Sequence, residues 1–292
     1  MTPNNDMSST KCREFYEAVA YAKTLMSKNT GLSAYYRMHL RQEWQVLATI
    51  VGKGGGRRIL DIGCGPAYIL DVAIAGDDFE YVGLDIALKA IPRGRNSDDV
   101  HFALGNAESL PFTSSSFDVV IASHIIEHLH NSDRFISECC RILKTDGKLI
   151  VTTPSDSSIL KKRFMEKSAF VLGATISFCL SVAAPRDFIT KLQDFSSARR
   201  AGRGAEQTHS QEEHVHEFKP EELEGQLRES GLRIVRTRFS GLHVFKYSLV
   251  LSDLFGRLAY RIASKVESWQ SAKLRRIAYD MTYVAVKEQV IR

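Results

Sequence analysis

Four short stretches of the 292-residue chain carry side chains whose types and spacing could do chemistry. The first, ILDIGCGPAYIL from Ile59 to Leu70, sets Asp61, Gly63 and Gly65 between an apolar run and a helical stretch. Glycines there permit positive φ and let a ligand lie close to the backbone. Further on, YVGLD ends on Asp85, and an acid at that place accepts hydrogen bonds from both hydroxyls of a ribose. GNAESLPF offers Asn106, whose amide can pair with an adenine edge. SHIIEHL brings His124, Glu127 and His128 at i, i+3 and i+4, one face of a helical turn if such a turn follows the strand. Imidazoles in that place suit proton removal from a hydroxyl. Two rival readings of the glycine turn fail on particular residues. A dinucleotide fingerprint needs a third glycine at 68, which is Tyr68, and a phosphate loop needs Gly-Lys-Ser/Thr, which is absent. What remains is a D-x-G-x-G turn that opens a cleft without a pyrophosphate cradle.

The elements that must hold these groups follow from pattern. Residues 1 to 10 are polar, and Cys12 to Val51 repeats apolar residues near a 3.6 period, which predicts helices. KGGGRR at 53–58 breaks the pattern. Strands are then predicted at Arg58 to Ile62, Tyr81 to Leu84, Val100 to Leu104, Phe117 to Ala122 and Lys148 to Thr153, apolar runs with little alternation, as expected of parallel strands covered on both faces. A helix is predicted from Ser132 to Leu143, opened by Asn131 and closed before Asp146-Gly147. After an interruption, a helix from Pro220 to Ser230, a strand from Leu232 to Phe239 and a last strand from Met281 to Lys287 complete the alternation. The expectation is an α/β fold: a doubly wound, mostly parallel seven-stranded sheet with N-terminal helices and two helical insertions. In segments, this is a helical cap (1–57), a core (58–155), a basic and apolar insertion (156–215) and a completing part (216–292) with a second amphipathic insertion, all one composite domain.

Composition excludes repeat, collagen-like and largely disordered classes, with 44% hydrophobic and 25% charged residues. The formal charge of +5 is too slight to demand nucleic acid. It is also local: residues 155 to 203 hold nine basic and four acidic side chains, an excess equal to that of the whole chain. Five cysteines, an odd number without a CxxC pair, argue against a disulfide framework and a zinc ribbon. The opening MTPNNDMSST shows no secretory pattern, so a cytoplasmic setting is expected. Ser168 to Ala184 holds no charge, yet as a helix it would span only roughly 26 Å of a bilayer core of about 30 Å. A crossing would also put strands of one sheet on opposite sides of a membrane. A buried helix, a lid over the cleft, or a segment lying in a membrane surface remain. In the second insertion Val244, Phe245, Leu249, Leu254 and Leu258 alternate with Lys246, Arg257, Arg261 and Lys265, a basic amphipathic pattern suited to anionic lipid or to packing on the domain. The two cation-edged insertions predict a small, hydrophobic or lipid-linked partner molecule, peripheral membrane contact through 160–203 and 242–266, and no nucleic acid.

Taken in order, the motifs from Arg58 to Ser155, and more loosely 216–239 and 281–287, resemble class I S-adenosylmethionine-dependent methyltransferases, in particular the type 11 and quinone-ring kinds. The resemblance implies a Rossmann-like fold and S-adenosyl-L-methionine as cofactor. It implies that Gly63 and Gly65, with Cys64 between them, approach the methionine part, and that Asp61 orients its amino group. It further implies Asp85 with Ile86 at the ribose, Asn106 with Ala107 at the adenine, and Ser123 at the fourth strand end. Ala67 stands where the family often has a third glycine, and Asn106 where it more often has aspartate. His124, His128 and His216 are the candidate catalytic groups. In some relatives a Glu-His pair with a preceding acid and a later histidine holds a divalent metal. Here 124 is His, His214 or His216 would be the later ligand, and no metal is expected. The implied activity is methyl transfer to oxygen, carbon or nitrogen by in-line displacement. The alternatives are a non-catalytic cofactor-binding partner subunit or an RNA methyltransferase.

Overall fold

The computed structural model describes residues 45–47, 49–51, 56–67, 69–72, 79–92, 94, 97–155, 215–240, 265, 278 and 280–289. Most of the predicted N-terminal helices, both insertions, His209 and His214 lie outside the described residues. Within them are seven strands, β1 (Arg57–Ile62), β2 (Phe79–Asp85), β3 (Val100–Leu104), β4 (Phe117–Ser123), β5 (Leu143–Pro154), β6 (Leu232–Ser240) and β7 (Asp280–Lys287). The helices are α1 (Ile69–Val72), α2 (Ser132–Ile142) and α3 (Pro220–Glu229), with a 3-10 turn at Ile126–His128.

The strands form one sheet in the order β3-β2-β1-β4-β5-β7-β6. All neighbours are parallel except β7, which runs antiparallel between β5 and β6. The sheet is therefore the doubly wound, mostly parallel one that the sequence predicts. The strand order reverses between β1 and β4, and in an open α/β sheet a ligand crevice lies outside the carboxyl ends at such a point. The ends of β1, β2 and β4 are where the motif residues sit.

Burial on both faces explains the unbroken apolar runs. One face packs Leu60, Ile62, Val82, Leu84 and Val120 against Phe135, Ile136 and Ile142 of α2 and Leu223 and Leu227 of α3. The other face packs Ile59, Tyr81, Val119, Ile121 and Ile150 against Leu47, Ile50 and Val51 of the N-terminal helical residues. Each such Leu or Ile contributes roughly 1.5–3 kcal/mol. Asn131 caps α2 by accepting from the Arg134 N–H at 2.8 Å, as its position predicts.

α2 also fastens the loop after β3, which bears Asn106 and Ala107. Arg141 donates to the Leu110 and Phe112 carbonyls at 3.1 and 2.8 Å and to Glu138 at 2.7 and 2.9 Å, while Glu138 accepts from the Leu110 N–H at 2.9 Å. The Arg141 hydrogen bond holds the Glu138 carboxyl below its ordinary range. Arg141→Met leaves two carbonyls without their donor and the Glu138 carboxylate with only the Leu110 N–H, so urea unfolding should show a loss of about 2 kcal/mol. An unchanged midpoint would mean that water replaces the guanidinium fully.

Both insertions arise at one rim. Pro154 at the end of β5 pairs with Asp280 at the start of β7, which also pairs with Ser240 at the end of β6. Ser155 bridges to Phe218, so segment 156–217 departs and returns at the same edge. That edge is the carboxyl edge, the same one that carries the glycine turn.

Candidate active site

At the end of β1 the backbone turns out of the sheet through Gly63 and Gly65, both in the left-handed region with φ of 70° and 48°. The two glycines are required for different reasons. A Cβ on Gly63 would come within 2.8 Å of Ile125 Cδ1 and 3.4 Å of Ile125 Cβ, so the loop after β4 leans directly on this turn. A Cβ on Gly65 would meet no atom of the described residues within 4 Å, so among them the space beside it is open to a ligand. Gly63 and Cys64 both donate to the Leu84 carbonyl, at 2.7 and 3.1 Å, which ties the turn to β2. Ala67, at φ 56°, adopts the left-handed conformation itself and is fully buried. The missing third glycine is thus replaced at the cost of backbone strain of roughly 1–2 kcal/mol.

Asp85 closes β2 with its carboxylate anchored at both oxygens, accepting from the Gly65 N–H at 2.9 Å and the Ala87 N–H at 2.8 Å. Each carboxylate oxygen has a second lone pair, so the anchored group can still accept from a ribose diol. Asn106 is exposed and uses its Oδ1 to accept from the Glu108 N–H at 2.9 Å. That leaves the Nδ2 donors for an adenine edge, while Ala107 is buried beneath. Ile86 and Ser123 are half-buried at the same strand ends. Cys64 is a buried filler, its thiol pushed far up by burial and by the nearby Asp61 and Asp85 charges.

Asp61 is 1% exposed and lies on the face that packs the N-terminal helical residues. Burial raises its pKa, the hydrogen bond from Tyr81 lowers it and the Asp85 charge raises it, leaving it pushed up to about 7. The Tyr81 hydroxyl donates to it at 2.8 Å. Sequence reasoning missed Tyr81. The signal lay in the register: Asp61 pairs with Gly83, so Tyr81, two residues earlier, shares its face.

The loop after β4 departs from the helical face expected for His124, Glu127 and His128. His124 precedes the 3-10 turn and has φ 52°, so it is not part of a regular helix. Even so, the structure brings two of the three together: His124 Nδ1 lies 3.4 Å from Glu127 Oε1. His128 ends the turn, its N–H donating to the Ile125 carbonyl at 3.0 Å. Glu127 is 2% exposed and accepts from Thr153 Oγ1 at 3.0 Å. Burial raises its pKa, but the His124 contact and the His124 and His128 charges outweigh this and hold it below its ordinary range. Thr153 was not anticipated from sequence. His216 reaches this group only through its backbone, whose N–H donates to the Glu127 carbonyl at 3.1 Å. Its ring is taken up by Glu222 at 2.7 Å and lies against Phe218. Among the described residues no group of three or more His, Cys, Asp or Glu is disposed to hold a metal.

These residues fit S-adenosylmethionine: a glycine turn with space left open by the described residues, an anchored acid at the end of the neighbouring strand, and a buried acid at the end of the first. The chain is 34% identical over 116 residues to the "Probable S-adenosylmethionine-dependent methyltransferase" of Mycolicibacterium smegmatis, covering 39% of this chain and 45% of that one. It is 35% identical over 107 residues to the phthiotriol/phenolphthiotriol dimycocerosates methyltransferase 1 of Mycobacterium ulcerans, covering 33% and 37%. The chain therefore spans less than half the length of these curated relatives. Its fold matches that of magnesium protoporphyrin IX methyltransferase from Synechocystis, solved with bound SAH, at a TM-score of 0.54 and 14% identity over 96% of this chain and 99% of that one. A family model described as a methyltransferase domain matches residues 34–237, well over half of the sequence, and the chain belongs to that methyltransferase family.

Proposed function

We propose that the protein is an S-adenosylmethionine-dependent methyltransferase acting on a small, hydrophobic or lipid-linked acceptor. The observation that carries the first part is the pairing of Gly65, beside which the described residues leave open space, with Asp85, whose carboxylate is pinned by the Gly65 and Ala87 amides. A sulfonium cofactor supplies an activated methyl group, so the protein's contribution is chiefly placement. Asp85 and Asn106 orient the nucleoside, and Asp61 beneath the turn favours a cationic amino group above it.

The acceptor class is read from the rim. Segments 156–217 and 241–279 both leave from the carboxyl edge, the edge that carries the glycine turn two or more strands away, and their sequences are apolar with basic flanks. Such segments suit a bulky apolar acceptor and contact with an anionic lipid surface. The relative from Mycobacterium ulcerans carries a lipid in its name, which favours the same class. Among the described residues no helix is long and apolar enough to cross a membrane, and the proposed contact is peripheral, from the cytoplasmic side. Flotation with phosphatidylglycerol vesicles should recover the full chain, whereas a form with residues 160–200 replaced by a short linker stays behind. Recovery of neither form overturns the lipid assignment. Formation of S-adenosylhomocysteine from S-adenosylmethionine with a lipid extract as acceptor separates an enzyme from a cofactor-binding partner subunit, which binds and does not turn over.

A further inference from the structure

We infer that capture of S-adenosylmethionine drives a proton off Asp61, with Tyr81 as the positioning residue that holds the carboxyl for this exchange, so that cofactor affinity climbs with pH across the weakly acidic range. This rests on the methyltransferase reading and adds a proton to what the cleft exchanges.

The Asp61 carboxyl sits among apolar neighbours with one polar donor. It lies directly across from Ile121 of β4 and, like Ile59, Ile121 and Ile150, on the face covered by Leu47, Ile50 and Val51. On its other side it lies across from Gly83. A Cβ on Gly83 would come within 2.7 Å of Phe102 Cδ1 and 2.9 Å of Cys64 Sγ, so a ring and a thiol already fill the place that a side chain there would take. Tyr81, two residues earlier on β2, is fully buried, and Phe102 meets its ring edge-on with centroids 5.9 Å apart at 67°. Its hydroxyl lies 2.8 Å from Asp61 Oδ2, and among the described residues no other side chain donates to this carboxyl.

The charges around Asp61 are of the wrong sign for a lone carboxylate. Three titratable groups face it: the Tyr81 phenol and the Asp85 carboxylate from β2, and the Cys64 thiol, which burial keeps neutral. Among the described residues no cation acts on it. A buried carboxylate without a cation takes up a proton instead, in accord with the value of about 7 that burial sets against the Tyr81 hydrogen bond and together with the Asp85 charge. S-adenosylmethionine carries the missing cation as its ammonium, and an opposite charge beside a carboxyl favours the ionised form. On capture below pH 7 the O–H bond of Asp61 breaks, the proton passes to solvent, the ammonium keeps its three hydrogens and an ion pair forms. The Tyr81 hydroxyl donates to the carboxylate so produced, a hydrogen bond that charge strengthens.

The sign follows from linkage. A ligand that selects the ionised form binds about tenfold more tightly for each pH unit well below 7 and levels off above it. The free cofactor's own ammonium begins to lose its proton only near about 7.7–8.0.

The test begins with the unaltered full chain. Calorimetry at pH 6 in two buffers of different ionisation enthalpy should report about one proton released per S-adenosylmethionine bound, and at pH 7.5 about none, with Kd falling about fifteenfold between pH 5.5 and 7. Asp61→Asn should bind more weakly, with neither the release nor the pH dependence. Tyr81→Phe should move the midpoint of the affinity profile up by about one pH unit, whereas a loss of packing alone lowers affinity by the same factor at every pH. A wild type that releases no proton at pH 6 overturns the proposal, and that result stands even if a variant fails to fold. A release undiminished in Asp61→Asn, or a Tyr81→Phe midpoint that stays in place, overturns it as well. A wild type that binds no S-adenosylmethionine at any pH sinks the methyltransferase reading instead.

Discussion

Asp85→Ala should lower the affinity for S-adenosylmethionine roughly a thousandfold, a loss of about 4 kcal/mol in isothermal calorimetry. The carboxylate offers a ribose two charge-assisted hydrogen bonds, each contributing about 1.5–3 kcal/mol. It also holds the turn by accepting from the Gly65 and Ala87 amides. Truncation removes the ligand contacts and leaves Gly65, in its left-handed conformation, without the acceptor that fixes it. Asp85→Asn separates the two effects, because an amide oxygen can still accept from one amide while the charge is gone. An alanine variant that binds within threefold of the wild type would place the nucleoside elsewhere.

Asp61→Asn should make the ligand-free protein more stable above pH 7, by roughly 2–4 kcal/mol on the scale of 1.36 kcal/mol per pKa unit. Burial pushes the Asp61 carboxyl up to about 7 from an ordinary 3.8. The folded chain therefore holds a proton that the unfolded chain has released. Where the folded state binds more protons, stability falls as pH rises. The contribution is intact below about pH 4, declines between 4 and 7, and is gone above 7. Asparagine stays neutral throughout and still accepts from Tyr81. Denaturant unfolding at pH 5 and pH 8 should show the wild type losing stability across that interval relative to the variant, and parallel curves would refute the shifted carboxyl. The same substitution should weaken cofactor binding, since an ionised Asp61 is the partner for a cationic amino group.

The strands were legible because parallel strands covered on both faces need no polar alternation, so β1, β2 and β4 stand out as apolar runs. β5 was legible only from Lys148. Its earlier part pairs Leu143 with Phe117 and then loops out through Asp146, at φ 61°, and Gly147 before rejoining at Lys148 opposite Val119, and a polar excursion of that kind reads as a turn. The candidate cofactor residues were readable as motifs because they are local to strand ends. The pair at His124 was visible as spacing but not as geometry. What holds Glu127 is hydrogen bonding from Thr153 of β5 and the His216 backbone, remote in sequence, and a helical wheel assigns His124 to a helix that its left-handed φ does not join. His216 shows the converse: a histidine near the cleft by sequence whose ring is engaged by Glu222.

The clamped roots of the two excursions from the sheet have an evolutionary corollary. Ser155 bridged to Phe218, and Ser240 paired with Asp280, act like sockets whose terminals touch whatever is plugged between them. Closing a loop whose ends already meet adds little chain entropy for each added residue. Segments of very different length can therefore be exchanged at these two sockets while the glycine turn and its strands are left intact, and grafting between distant members of the family is most promising at those junctions.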